Sequence, residues 1–221
     1  MRAAGPDVTT DPSAHGSLSG CRVVICVCGG IAAYKTAALV SQLVQEGCRV
    51  TVAMTRAARR FVGPTTFRAL TGRPVLTSLW DGGETPEPRG GDEGPGGRTA
   101  MRHLGPTEDA DLVVVAPATA NMIGKLAGGI ADDLVSTLLI GAACPVLLAP
   151  AMNARMWQHP AVQRNVAFLR NSGFQLVGPE EGWLACGVVG HGRMSEPETL
   201  LAVIRGQLER LRAGSAGPRP A

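Results

Sequence analysis

The hydrophobic pattern of residues 22–54 changes period twice, and this restricts the fold more than any other feature of the chain. Residues 22–28 form a β-branched run that ends at Gly29 and Gly30. Over residues 31–46 the apolar positions Ala33, Ala37, Val40 and Val44 fall on one helical face. Gly47 stops that helix, and residues 49–54 read as a second strand. Strand, helix and strand in succession make a βαβ unit, which favours a parallel sheet wound with helices.

The rest of the chain continues the alternation. A helical stretch at 65–70 leads to a short strand near Val75. Residues 81–100 are Gly/Pro-rich and charged, without periodicity, and are expected to be a mobile surface loop. Strands are predicted at 111–116, 145–149 and 174–177, and helices at 118–126, 131–140, 154–171 and 198–212. The expected fold is α/β: a Rossmann-like, doubly wound, mostly parallel sheet of about six strands with helices on both faces. Residues 1–20 are expected to form a flexible tail, 21–212 one domain, and 213–221 a frayed end.

A composition of 45% hydrophobic and 18% charged residues provides for a sizeable core. A net charge of +3, scattered rather than massed, together with only 4% aromatic residues, argues against a nucleic-acid partner. None of the six cysteines forms a CxxC pair, and four lie in or beside predicted strands. Residues 1–20 contain no apolar signal region, and no uninterrupted apolar run is long enough to span a bilayer. The expectation is a reduced, soluble, cytoplasmic protein with no metal and no membrane partner.

Chemistry is expected where strands end, because open α/β sheets bind ligands beyond the carboxyl ends of their strands. Gly29, Gly30 and Ile31 follow the first strand, where glycines admit a phosphate to a helix N-terminus. The stretch is not GxGxxG, no acidic residue ends the second strand, and no P-loop is present; a mononucleotide therefore fits better than a dinucleotide. Thr55 ends the second strand, either as a helix cap or as a hydroxyl donor to the same phosphate. A-P-A-T-A-N at 116–121 and P-A-M-N-A-R-M-W at 150–157 end two more strands. Asn153 has two readings, a cap for the following helix or an amide turned toward a ligand. Three strand ends, at 29–31, 118–121 and 150–153, should thus converge on one crevice.

Of the four histidines, His103 is the best placed for acid/base work, just before the strand at 111–116. Residues 184–197 read L-A-C-G-V-V-G-H-G-R-M-S-E-P, a glycine-rich loop able to close over a ligand and deliver the thiol of Cys186. With an ordinary pKa of about 8.5, that thiol is mostly protonated at neutral pH and can donate a proton.

G-G-I-A-A-Y-K, A-P-A-T-A-N, P-A-M-N-A-R-M-W and A-C-G-V-V-G-H-G-R-M-S-E-P, in this order, resemble the homo-oligomeric flavin-containing cysteine decarboxylases. The likeness runs over about residues 21–205. It implies an FMN-binding Rossmann-like sheet assembled as homotrimers or a dodecamer, with the flavin near a subunit interface. Gly29, Gly30, Ile31, Thr55, Ala118, Thr119, Ala120 and Asn121 would hold FMN. Asn153 would bind the substrate carboxylate beside Leu184 and Ala185, His103 would be the catalytic histidine, and Cys186 the proton donor. The implied reaction decarboxylates 4′-phosphopantothenoylcysteine to 4′-phosphopantetheine in coenzyme A biosynthesis. Oxidation of the substrate thiol to a thioaldehyde provides the electron sink, CO2 leaves, and the resulting enethiolate is reduced again. Pyridoxal phosphate would need a Schiff-base lysine, and only Lys35 and Lys125 are present, both on predicted helices.

Two alternatives remain: a related FMN enzyme acting on a peptide's C-terminal cysteine, and a non-catalytic flavin-binding regulatory subunit. The sequence departs from the family at His103, Leu104, Gly105 and Pro106, where the family has H-I-x-L. Pro106 replaces an apolar residue there and is expected to alter the local backbone.

Overall fold

The computed structural model describes residues 17–79, 105–185 and 187–215. Its centre is a sheet of five parallel strands: β1 (Arg22–Val27), β2 (Arg49–Met54), β3 (Leu112–Ala118), β4 (Val146–Pro150) and β5 (Gln175–Leu176), in the order β2-β1-β3-β4-β5. The strand expected near Val75 is reduced to one parallel bridge between Ala53 and Leu76, so among the described residues the sheet has five strands rather than six. Leu76 still exchanges two backbone hydrogen bonds with β2, to Met54 and Val52.

A parallel sheet must be covered on both faces, and its strands read accordingly as near-continuous apolar runs. All seven residues of β3 are buried. Val23, Ile25, Val27, Val50, Val52 and Met54 point to one face. There they meet α1 (Ala33–Gln45), α2 (Pro64–Thr71) and α8 (Pro197–Ser215). Leu39 comes from α1, Phe67 from α2, and Leu200, Ile204 and Leu208 from α8. Val24, Cys26, Val113, Val115 and Leu148 point to the other face. That face is covered by α4 (Ala120–Ala127), α5 (Leu134–Ile140) and α7 (Pro160–Asn171), through Met122, Ile123, Val135, Leu138, Val166 and Leu169.

Four local differences from the sequence expectations have identifiable causes. The helix expected over 154–171 is two helices, α6 (Ala154–Trp157) and α7, because Pro160 lacks an N–H and cannot continue a helix from 156. His159, expected inside that helix, is instead extended and caps α7, its Nδ1 accepting from Ala161 N at 3.2 Å. Residues 184–197 are not simply a loop: β7 (Val189–Arg193) pairs antiparallel with β6 (Glu180–Trp183) as a separate hairpin. The chain also enters the fold earlier than Cys21 and leaves it later than 212. Residues 17–20 form a turn with Leu18 fully buried and bonded to Glu46, and α8 continues to Ser215.

Pro106 falls in α3 (Gly105–Glu108), a single turn in which a missing N–H is tolerated. The insertion at 81–100 lies outside the described residues. Among the described residues no helix is long and apolar enough to cross a membrane.

Phe67 is the largest fully buried side chain among the described residues, and it ties α2 to the α1 face of the sheet. Phe67→Ala is expected to lower stability by about 3–5 kcal/mol, and the thermal midpoint by roughly 10 °C. Thermal denaturation followed by circular dichroism checks this.

Candidate active site

The order β2-β1-β3 reverses direction at β1, so the segments leaving β1 and β3 diverge to opposite faces and open a crevice between them. A cleft of about 870 Å³ occupies this position. Gly29, Gly30 and Ile31 line it after β1, Thr55 after β2, Thr119, Ala120 and Asn121 after β3, and Met152 and Asn153 after β4. Leu184 and Ala185 close it from the tip of the β6–β7 hairpin.

Of the residues singled out in the sequence, Ala118 does not reach the cleft. It is fully buried at the end of β3, and its carbonyl accepts from Ala151 N at 3.0 Å, so it supports the floor. His103 and Cys186 lie outside the described residues.

Helix N-termini shape the polar part of the cleft. Thr119 caps α4 by accepting from Met122 N at 3.4 Å, and Asn153 caps α6, its Oδ1 accepting from Arg155 N at 2.8 Å. Thr55 Oγ1 likewise accepts from Ala58 N at 3.1 Å. The capping roles of Thr55 and Asn153 are therefore realised. A capping threonine uses an acceptor lone pair, and its O–H proton is still available for donation. By contrast, α1 has no side-chain cap and no acidic residue in its first turn. Its first N–H groups, at Ala33, Tyr34 and Lys35, bond the carbonyls of Gly30, Ile31 and Ala32 instead, so the turn is closed by backbone and no side-chain oxygen offsets the helix dipole.

The two glycines before α1 differ. A Cβ on Gly29 would overlap Ala57, so Gly29 is required for the β1 and β2 loops to pack. A Cβ on Gly30 would meet only Pro117 and Thr119, at ordinary contact distances of 3.7 and 3.8 Å.

The hairpin is seated on the Asn153 loop by backbone. Met152 N donates to the Gly192 carbonyl at 2.9 Å, and Gly192 has φ +146°. A Cβ there would overlap the Met152 carbonyl oxygen. The glycines of residues 187–193 therefore permit close docking as well as turning.

Charged residues in the cleft wall are mostly paired, and sequence reasoning missed them. Lys35 Nζ donates to Glu196 Oε1 at 3.0 Å and to the Met194 carbonyl at 3.1 Å, and Glu196 also pairs with Arg193. Hydrogen bonding from Lys35 holds the Glu196 carboxyl below its ordinary pKa. Lys125 bonds Asp133 at 2.6 Å and Asp132 at 2.5 Å. Burial opposes the charge of Lys125, but hydrogen bonds to the two carboxylates outweigh it and raise its pKa. The i, i+3 spacing in R-M-S-E was a usable signal for Arg193 and Glu196; nothing in the sequence joined Lys35 to either. Cys28 lies at the cleft floor, where burial pushes its thiol up to about 12, leaving it protonated. Among the described residues no cluster of metal-binding side chains is present.

The Flavoprotein family profile matches residues 12–209. The chain is 47% identical over 184 residues to the coenzyme A biosynthesis bifunctional protein CoaBC of Bacillus subtilis, covering 83% of this chain and 42% of that protein. It thus spans less than half the length of that relative. Among solved structures, it is similar to the FMN-dependent cysteine decarboxylase SpaF, with a TM-score of 0.69, 32% identity, and 89% and 99% of the two chains covered. It is also similar to a cysteine-to-serine mutant of PPC decarboxylase complexed with pantothenoylaminoethenethiol, with a TM-score of 0.73, 28% identity, and 86% and 98% covered.

Gly192→Ala is expected to unseat the hairpin while leaving the five-stranded sheet intact. Amide exchange at residues 189–193 should accelerate by about tenfold or more with far-ultraviolet circular dichroism unchanged.

Proposed function

The chain belongs to the Flavoprotein family, and from that premise we propose that it catalyses FMN-dependent decarboxylation of 4′-phosphopantothenoylcysteine to 4′-phosphopantetheine. The observation that carries this reading is the convergence of four strand ends and the hairpin on one cleft, with the uncapped start of α1 at one side and Asn153 at another. The cleft fits a flavin mononucleotide. Its volume accommodates a tricyclic ring, and Gly30 leaves open the space that a Cβ would occupy. Residues 29–31 would hold the phosphate through the N–H groups of Gly29 and Ile31, the Gly30 N–H being bonded to the Cys28 carbonyl at 3.1 Å, with Thr55 and Thr119 donating hydroxyl protons. Ala120 and Asn121 complete the cofactor wall.

Bound FMN supplies a two-electron acceptor for the substrate thiol and returns both electrons at the end, so no external oxidant is consumed. The chain's residues supply position and protons. Asn153 presents a neutral amide to the substrate carboxylate, orienting it without the ground-state stabilisation that a cation would give a group about to lose its charge. Leu184, Ala185 and Met152 make an apolar wall around it. Cys186, next to Ala185, donates the final proton to the enethiolate, and His103 serves as the catalytic histidine. In the solved cysteine-to-serine mutant of PPC decarboxylase the ligand is an enethiol, the kind of decarboxylated, unreduced product that loss of a thiol donor would leave.

The likeness to SpaF favours one other reading, a cysteine decarboxylase acting on a peptide C-terminus. A homotrimer or dodecamer is proposed because Ile31, Tyr34, Met156 and Trp183 are exposed large apolar residues at the cleft. Free cysteines at 21, 26, 28, 48 and 144 fit a cytoplasmic location.

The purified protein is expected to release FMN on denaturation and CO2 from 4′-phosphopantothenoylcysteine. CO2 only from a cysteine-terminated peptide would favour the other substrate, and flavin without any CO2 would favour a regulatory subunit.

Gly30→Val should fold but lose FMN, because it adds a side chain where Gly30 lines the cleft; full flavin content would remove residues 29–31 from the phosphate site.

Asn153→Asp keeps the cap but repels the carboxylate. Turnover is expected to fall at least about a hundredfold with FMN retained.

Cys186→Ser should still release CO2 and accumulate a product two hydrogens lighter, as read by mass spectrometry. A fully reduced product at the wild-type rate would assign the proton to another group.

A further inference from the structure

Lys35 lies in the first turn of α1 with its side chain only 7% exposed. A cation there opposes the helix dipole, and a buried ammonium persists only with partners. Its partners, Met194 and Glu196, both follow β7. The last helix does not need this pair in order to dock, because Leu200, Ile204 and Leu208 join Leu39, Val40 and Leu43 in one apolar cluster. What Lys35 adds is a tether on the end of β7. Gly192 on the same strand holds Met152, the neighbour of Asn153. A continuous path therefore runs from the start of α1, through Lys35 and β7, to Asn153.

We propose that Lys35 is a positioning residue whose bonds to Glu196 and Met194 set the spacing between the cofactor side of the cleft at α1 and the carboxylate side at Asn153. This rests on the function proposed above, since the spacing matters for turnover only if both ligands bind there. The Lys35 ammonium is bonded to protein groups and takes no part in the chemistry.

The test compares FMN-loaded wild type with Lys35→Met, Lys35→Arg, Glu196→Gln and the Lys35→Met/Glu196→Gln double variant. Amide exchange at residues 189–194 reads the tether without any activity assay, and CO2 release reads its effect on turnover. Lys35→Met is expected to speed hairpin exchange by about tenfold and to raise KM by about tenfold, with kcat changed less than about threefold and FMN content unchanged. Lys35→Arg should recover most of both effects. The double variant should be less than additive, because both changes remove the Lys35–Glu196 contact, whereas the Arg193–Glu196 pair is lost only with Glu196.

Unchanged exchange in Lys35→Met overturns the proposal, as does an additive double variant or a loss confined to kcat. Should Lys35→Met fail to fold, Lys35→Gln and Lys35→Arg decide it: faster exchange in the first with near-normal exchange in the second supports the tether, and equal rates in all three proteins overturn it. Absence of CO2 release from the wild type strikes the functional reading alone, and the exchange rates still decide the tether.

Discussion

The parallel pairing of β1 with both β2 and β3 is the constraint from which the rest follows. Parallel strands cannot be joined by tight turns, so each connection must cross a face of the sheet, and both faces become covered. Because β2 and β3 flank β1 on opposite sides, the crossovers diverge at that point. The cleft is thus a by-product of connectivity, present before any side chain is chosen for binding.

Side-chain chemistry then distributes charge around it. Capping oxygens from Thr119 and Asn153 satisfy α4 and α6, whereas α1 has no such group. One positive helix end is therefore directed at the cleft while neighbouring ends are occupied. The two lysines of the wall are both committed to carboxylates. An anion entering the cleft meets the α1 terminus without displacing a capping side chain there.

Much of this was legible in the sequence. The period change across residues 22–54 marked the βαβ unit, and β2 appears with the predicted bounds. Residues 29–31, 119–121 and 153 all reach the cleft, because strand ends in a parallel sheet share one edge. What was not legible depended on long-range contacts. Nothing local showed that residues 180–183 pair with 189–193, since only the second half of the hairpin stood out, as a glycine-rich run. Lys35 and Glu196 are 161 residues apart, so neither periodicity nor spacing could join them. Pro160 was a readable signal for the break between α6 and α7, but the apolar period across 154–171 masked it.

The hairpin is a second, two-stranded sheet that shares no ladder with the main one. Its attachment at the cleft includes a backbone bond at Gly192, the close approach of Gly190 to Ala154, and the contacts of residues 193–196. Sequence change at its tip, around Trp183 to Val189, therefore does not disturb the register of the five strands or the packing beneath them. The tip can thus vary in sequence while the sheet and the strand-end loops that form the rest of the cleft stay fixed.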